Sequence, residues 1–306
     1  MIFSHCIVFQ FGTIVMELKN KIVSVVIPTY NRVDYLCEAI KSVLNQTWTD
    51  IEIIVVDDAS TDNTREVCRK NFPEIILIKN QISVGGGEAR NIGIRHSKGE
   101  YVAFLDDDDR WVPHKIERQM QIMLNKEVSL VSCCYYEVKG EKHTVVNVNE
   151  IKEEQDLLYK NDFGGASMFL TKKYFLERVG GFNKTLKSGQ DWDLLLKLWE
   201  VGSFSVCKEP LVFYREHLSN MRITNSIMGS YCGLRDIFFL YRSRMSSETR
   251  SKVLAELIFY RLKLFGGKTL RSKFLFLIFF KKVSFRFFIK FFLRLSHYFL
   301  LKDRVQ

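Results

Sequence analysis

Between Ile22 and Leu105 the chain alternates four short apolar runs with three stretches of helical periodicity, and this alternation constrains the fold more than any other feature. Ile22–Pro28, Ile51–Val56, Ile75–Ile78 and Tyr101–Leu105 are continuous runs rich in β-branched residues, the pattern of strands covered on both faces. Tyr35–Leu44 places Leu36, Ala39, Ile40, Val43 and Leu44 on one helical face, while Thr61–Lys70 and Glu88–His96 fill the other two intervals. The order β-α-β-α-β-α-β predicts an α/β fold, a mostly parallel, Rossmann-like sheet with right-handed crossovers. In such sheets ligands bind beyond the carboxyl ends of the strands. Those ends carry Pro28-Thr29-Tyr30-Asn31-Arg32, Asp57-Asp58 and Asp106-Asp107-Asp108-Asp109.

Beyond Pro113 the pattern loosens. It predicts a helix over Lys115–Leu124, a strand over Val128–Tyr136, a polar stretch over 137–162 and a strand over Phe163–Leu170. An amphipathic helix over Asp191–Glu200 and short strands at Phe204–Cys207 and Leu211–Tyr214 follow, and the chain reads as helical from Ser226. The 306 residues carry a net charge of +10, yet ten Lys/Arg and only Asp303 in opposition lie between Lys268 and Arg304. The tail therefore holds +9 and the rest of the chain +1. With the basic charge so confined, nucleic acid is not the expected partner. Seven cysteines without a CxxC pair read as buried thiols in a reducing compartment, not as a zinc site. Residues 1–21 read as an N-terminal extension. The stretch MIFSHCIVFQFGTIV lacks a basic lead and a cleavage site, and Met16 opens the polar MELKNK, which makes Met16 the expected start.

The acidic ends of the strands carry the chemistry. Four adjacent carboxylates, Asp106 to Asp109, cannot all ionise without a counter-charge, and a divalent cation such as Mg²⁺ or Mn²⁺ is the natural one. The plainer alternative is a solvated turn that caps the helix starting near Pro113. The Asp57-Asp58 pair is suited to accept hydrogen bonds from a base edge or a ribose hydroxyl, and the Ser60-Thr61-Asp62 stretch after it can cap a helix at the same time. Gly85-Gly86-Gly87-Glu88-Ala89-Arg90 lacks the spacing of a triphosphate loop, but flexible backbone before a helix bearing Arg90 suits a diphosphate.

In order, VSVVIPTYNR (23–32), VVDDASTDNT (55–64), GGGEARNIGI (85–94), FLDDDDRW (104–111) and SGQDWDLLLKL (188–198) resemble the motifs of the inverting nucleotide-sugar glycosyltransferases of family 2, which have the GT-A fold. The resemblance covers residues 22–220 and implies a transferase domain over 22–225. It implies that Pro28, Tyr30 and Arg32 border the nucleotide and that Asp58 contacts the uracil of a UDP donor, beside the Arg90 already read from the Gly-rich stretch as a diphosphate contact or a surface arginine in a turn. Asp106 and Asp108 match the outer positions of the family's DxD motif. Asp108 is the expected ligand of Mn²⁺ or Mg²⁺, Asp106 borders both metal and donor, and Asp107 contacts ribose. Asp191 matches the general base that takes the acceptor's proton, with Gln190 where the family usually has Glu. Tyr214-Arg215-Glu216-His217 resembles a later segment in which Arg215 or His217 neutralises the departing diphosphate.

Residues 226–306 form the expected helical, basic, Phe-rich region. Residues 265–299 hold eleven of the 25 Phe, and Lys282, Arg286, Lys290 and Arg294 recur every four positions beside Phe285, Phe288, Ile289, Phe292 and Leu293. That is the pattern of an in-plane helix on an anionic membrane, engaged through residues 268–304. A peripheral enzyme on the cytoplasmic face of the cell membrane would meet a glycan or lipid-linked acceptor there, as in bacterial surface-polysaccharide or lipopolysaccharide synthesis. Two other classes stay open at this point. A sugar nucleotidyltransferase would also place paired acids on an α/β rim, and an inactive membrane-associated nucleotide-sugar-binding protein would keep the fold without turnover.

Overall fold

A computed structural model describes residues 21–215 and 227–265 of the chain. The described residues divide into two compact units, one comprising 21–151, 162–184 and 194–215, the other 152–161, 185–193 and 227–265.

The first unit is built on one sheet. Its parallel part consists of Val23–Thr29 (β1), Ile51–Asp57 (β2), Ile76–Lys79 (β3) and Tyr101–Phe104 (β4), in the order β3-β2-β1-β4. β1 and β4 are buried almost throughout, as the continuous apolar runs require. Only β3, at the edge, is half exposed. Val33–Leu44 (α1), Thr64–Asn71 (α2) and Gly86–His96 (α3) are the crossovers. α1 buries Leu36, Ala39, Ile40 and Val43 as its periodicity predicts, whereas Leu44, at the last turn, is exposed. α3 lies unusually close to β1, because a Cβ on Gly93 would stand 2.2 Å from Val26 Cγ1.

The sheet continues with Arg110–Trp111 (β5), Leu130–Lys139 (β6), Lys142–Val146 (β7), Leu170–Lys172 (β8) and Phe204–Arg215 (β9), in the order β4-β8-β6-β9-β5 with β7 beside β6. Here β6 and β9 run parallel and the other pairings are antiparallel. Lys115–Asn125 (α4) packs on β6 and β9. Cys133 and Cys134 are both fully buried, because β6 is covered on its two faces. The described cysteines are all free thiols.

Three stretches differ from the sequence expectation. Phe163–Leu170 buries its apolar residues as a loop and a 3-10 turn (Ala166–Met168), and extended structure begins only at Leu170, since Gly164 adopts φ +96° and breaks the run. The two short strands near 204–214 are one strand, β9, with register irregularities against Cys133–Tyr135. The polar stretch 137–162 contains the β6–β7 hairpin and a short helix, Glu154–Tyr159 (α5).

Lys173–Val179 (α6) belongs to the first unit, and Gln190–Trp199 (α7) runs across the division between the two. The second unit holds α5, the first turn of α7, Ile227–Tyr241 (α8) and Ser247–Phe265 (α9), with α9 packed on α8 and α5. The expected helical C-terminal region is thus present over 227–265. Residues 268–304, with the basic stripe, lie outside the described residues, as do residues 1–20. Among the described residues no helix is long and apolar enough to cross a membrane.

Candidate active site

The carboxyl ends of β1, β2 and β4 bring most of the expected site residues of the first unit to one rim. β1 ends at Pro28-Thr29, and the turn that follows is held by Asn31 in the left-handed region (φ +53°). Asn31 Oδ1 accepts hydrogen bonds from the Thr61 and Asp62 amides, and the Asn31 amide donates to Ser60 Oγ at 2.9 Å. The turns after β1 and β2 are therefore locked to each other. Tyr30 projects from the first of them and is half exposed.

The Asp57-Asp58 pair is divided by burial and bonding. Asp57 Oδ1 accepts from the Ser60 amide at 2.8 Å. Asp58 accepts four hydrogen bonds, from Asn80 Nδ2, Ser83 Oγ and the Val84 and Gly85 amides, all at 2.7–2.8 Å. Burial pushes its carboxyl upward, but these four donors outweigh burial and hold it below the ordinary carboxylate range. Asp58 thus fastens the loop between β3 and α3, at whose end Gly85 takes φ +84° to enter the helix.

The four-aspartate turn follows β4. Asp106 pairs with Arg90 of α3, whose guanidinium also lies 5.4 Å from the centre of the Phe182 ring. Asp107 is buried; it accepts from Thr29 Oγ1 at 2.8 Å and from Arg32 at 3.1 Å. Burial raises its carboxyl to about 6, with Arg32 opposing that shift. The same Nη1 atom of Arg32 lies 3.0 Å from Asp108 Oδ2. Asp109 accepts from Ser167 Oγ at 2.7 Å and from the Arg215 amide at 3.1 Å, which ties the turn to the end of β9. Carboxylate oxygens of Asp106, Asp108 and Asp109 come within 4.8 Å of one another, so these hard oxygen donors fit a divalent cation. The alternative of a solvated capping turn is not supported, since Asp107, Asp108 and Asp109 are buried and the side chain bonded to the start of α4 is Gln46, whose Oε1 accepts from the Ile116 amide at 3.1 Å.

Several residues of this rim carry no signal in the sequence. Ser167 is fully buried and joins the two ends of the acidic turn: its Oγ accepts from the Asp106 amide at 3.1 Å and donates to Asp109. Its carbonyl in turn accepts from Trp111 Nε1 at 3.0 Å. Beneath Trp111 lies Lys115, completely buried, with its ammonium 3.9 Å from the ring centre and bonded to Gln119 Oε1 at 2.6 Å. Arg215 pairs with Glu38 at 2.8 Å and stacks over Tyr35. Only contacts across some sixty residues make Ser167 part of the site, whereas Arg215 belongs to the Tyr214–His217 segment singled out in the sequence and its bond to Asp109 is what the sequence does not show.

Asp191 lies in the first turn of α7, within the second unit, and its Oδ1 accepts from the Trp192 amide at 3.1 Å. Its neighbours are firmly held: Trp192 Nε1 donates to the Leu157 carbonyl at 2.7 Å and Tyr241 Oη to Asp193 Oδ1 at 2.8 Å. Gln190 Nε2 turns back to the Leu186 carbonyl at 2.6 Å. Before it, a Cβ on Gly233 of α8 would stand 2.9 Å from Ser188 Oγ, so α8 presses directly on the turn that leads into Asp191. His217 lies outside the described residues.

Comparison with known proteins shows the family and the fold. The profile of the family described as Glycosyl transferase family 2 matches residues 24–181, just over half of the chain. An uncharacterised glycosyltransferase of Haemophilus influenzae is 32% identical over 209 residues, covering 66% of this chain and 70% of the relative. The UDP-Glc:alpha-D-GlcNAc-diphosphoundecaprenol beta-1,3-glucosyltransferase WfaP of Escherichia coli is 41% identical over 117 residues, 38% of this chain and 47% of that protein. The crystal structure of Staphylococcus aureus TarS 1-349 in complex with UDP-GlcNAc superposes with a TM-score of 0.64 at 19% identity, over 87% of this chain and 82% of that one, a likeness of fold.

Proposed function

The chain belongs to glycosyltransferase family 2, and on that premise we propose that it is an inverting, metal-dependent transferase that moves a sugar from a UDP-sugar to a hydroxyl of a glycan or lipid-linked acceptor. The observation that carries this reading is the rim itself: Asp106, Asp108, Arg32 and Arg90 gather where a parallel sheet receives its ligands. The WfaP likeness supports a lipid-linked acceptor in surface-polysaccharide or lipopolysaccharide synthesis. The TarS likeness supports a donor of the UDP-sugar type. Residues 22–225 are then the transferase domain, and residues 268–304 hold the enzyme against the anionic inner face of the cell membrane.

In this reading Pro28, Tyr30, Arg32, Asp58, Arg90, Asp106 and Asp107 border the donor, and His217 joins them from the segment after β9. Asp58, through the loop it fastens, shapes the wall that the base would meet. Asp106 and Asp108 would hold Mn²⁺ or Mg²⁺, which supplies positive charge for the departing diphosphate. Asp191 takes the proton of the acceptor hydroxyl as that oxygen attacks the anomeric carbon. The bond from that carbon to the diphosphate breaks in the same displacement, the nucleoside diphosphate leaves, and the anomeric centre inverts. The firm seating of Trp192 and Asp193 keeps the Asp191 turn in one geometry, which general-base catalysis needs.

The test is nucleoside-diphosphate release from UDP-, GDP- and dTDP-sugars with membrane extract as acceptor, in Mn²⁺ or in EDTA. Release of one nucleotide, abolished by EDTA, by Asp108→Ala and by Asp191→Ala, is the expected result. Release that survives Asp191→Ala would remove the base assignment, and release of pyrophosphate from a nucleoside triphosphate would move the chain to the nucleotidyltransferases.

A further inference from the structure

Both expected metal ligands already hold a cation, and that cation is arginine. Asp108 is buried and its Oδ2 lies 3.0 Å from Arg32 Nη1; Asp106 pairs with Arg90. The two arginines reach the turn from different elements, Arg32 from the loop between β1 and α1 and Arg90 from the first turns of α3. A divalent cation cannot approach Asp108 and Asp106 at full strength while guanidinium groups occupy their oxygens, because like charges compete for the same lone pairs. A diphosphate, by contrast, is what a guanidinium fork binds best.

We propose that Arg32 and Arg90 are exchangeable counter-ions, which neutralise Asp108 and Asp106 in the free protein and turn to the donor's diphosphate as a divalent cation replaces them on the carboxylates. The inference rests on the reading of this rim as the donor site and assigns the two arginines a part that reading does not contain. Asp107 makes the exchange local. It is buried, it is bonded to Thr29 as well as to Arg32, and it retains its bond to Arg32 Nη1 when Asp108 is released. Metal and nucleotide then bind with positive coupling, each favouring the other by the same factor. The free protein keeps little affinity for the metal alone, and four clustered carboxylates stay soluble and folded without one.

The sign of the prediction separates this part from the two simpler ones. If Arg32 were only a donor contact, its removal would weaken nucleotide binding and leave metal binding untouched. If it were only a structural ion pair, its removal would loosen the turn and weaken both. As a counter-ion, its removal strengthens binding of the metal alone and weakens binding of the nucleotide. The experiment is Mn²⁺ binding to the full chain, read by the electron paramagnetic resonance of free Mn²⁺, without nucleotide and with UDP, GDP or dTDP in turn. Wild type is expected to bind Mn²⁺ weakly alone and more tightly with one nucleotide. Arg32→Gln is expected to bind Mn²⁺ alone roughly tenfold more tightly, the worth of one charged hydrogen bond, and to lose most of the nucleotide's effect. Unchanged or weaker binding of Mn²⁺ alone in a variant with a wild-type melting curve overturns the exchange. Should Arg32→Gln fail to fold, Arg90→Gln reads the same competition at Asp106 and decides in the same way. Wild type that binds no Mn²⁺ with any nucleotide is a different failure, since it removes the donor-site reading and the exchange with it.

Discussion

A single hydroxyl decides the shape of the acidic turn. Ser167 Oγ accepts from the Asp106 amide and donates to Asp109, so one side chain fixes the first and last of four repelling residues. Ser167→Ala removes one bond from each of these partners in a buried site, and loss of such an outer partner typically costs about 10–100-fold in metal affinity or activity. The expected result is a raised Mn²⁺ requirement for nucleoside-diphosphate release with nucleotide binding in the absence of metal unchanged; an unaltered Mn²⁺ titration would refute it. Asp58 makes a second case. Asp58→Asn turns an amide NH₂ toward donors, at a cost of about 1–3 kcal/mol. Its carboxyl is held below the usual range, so its stabilisation is present above the unfolded pKa, about 3.9, and is lost as pH falls through the lower folded value. The urea midpoint of wild type should therefore exceed that of Asp58→Asn at pH 7, and the gap should narrow as pH falls below about 3.9. Ala59, beside it, occupies the left-handed region at φ +69°, and Ala59→Gly should stabilise by roughly 0.5–1 kcal/mol as measured by the same titration.

Elements are where the sequence is most legible. Runs of β-branched residues and the 3.6-residue period place β1 to β4 and α1 to α3 within a few residues of their observed ends, because burial on both faces or on one face writes itself locally. The antiparallel half is less legible. Apolar residues of 163–170 are buried without being extended, and only Gly164 at positive φ reveals why. Likewise the acidic turn and the segment of Arg215 are visible as motifs, but Ser167, in a 3-10 turn, reaches the acidic turn through a contact between distant segments that no local pattern encodes. Packing between elements yields two further predictions. Gly93→Ala places a methyl group against Val26, which must push α3 and its Arg90 away from β1. A loss of about 1–3 kcal/mol and a drop in nucleotide affinity are expected together; a stable variant with wild-type affinity would show that α3 tolerates the shift. Lys115, fully buried, has its ammonium pushed down to about 8 by desolvation. The unfolded chain therefore holds this proton to higher pH than the folded one, and folding is penalised below pH 8 with relief toward pH 10. Lys115→Met removes that penalty, so its stability advantage over wild type should narrow as pH rises from 8 to 10. Comparing the two proteins cancels the opposing titration of Cys68, a thiol that burial raises to about 11 and that Lys115 does not influence.

At the scale of the whole molecule the question is what brings the enzyme to its acceptor. The described residues contain no membrane-crossing helix, and the charge of the chain is concentrated in residues 268–304. Lys282, Arg286, Lys290 and Arg294 follow one another at four-residue steps, so on a helix they would form one stripe flanked by phenylalanines. Each basic residue near an anionic surface contributes about 1 kcal/mol, and the attraction fades within a Debye length, about 8 Å at physiological salt. Replacing these four by glutamine in the full chain should therefore lower affinity for phosphatidylglycerol-containing vesicles by roughly a thousandfold, close to what raised salt does to wild type. Neutral vesicles should bind both proteins weakly and alike. Nucleoside-diphosphate release with a soluble acceptor should be the same in both, as expected of a stripe that serves the membrane surface alone. Release with membrane extract should fall in the variant alone. Equal flotation of the two proteins on anionic vesicles would show that the stripe serves another surface, and the acceptor would then have to reach the enzyme without it.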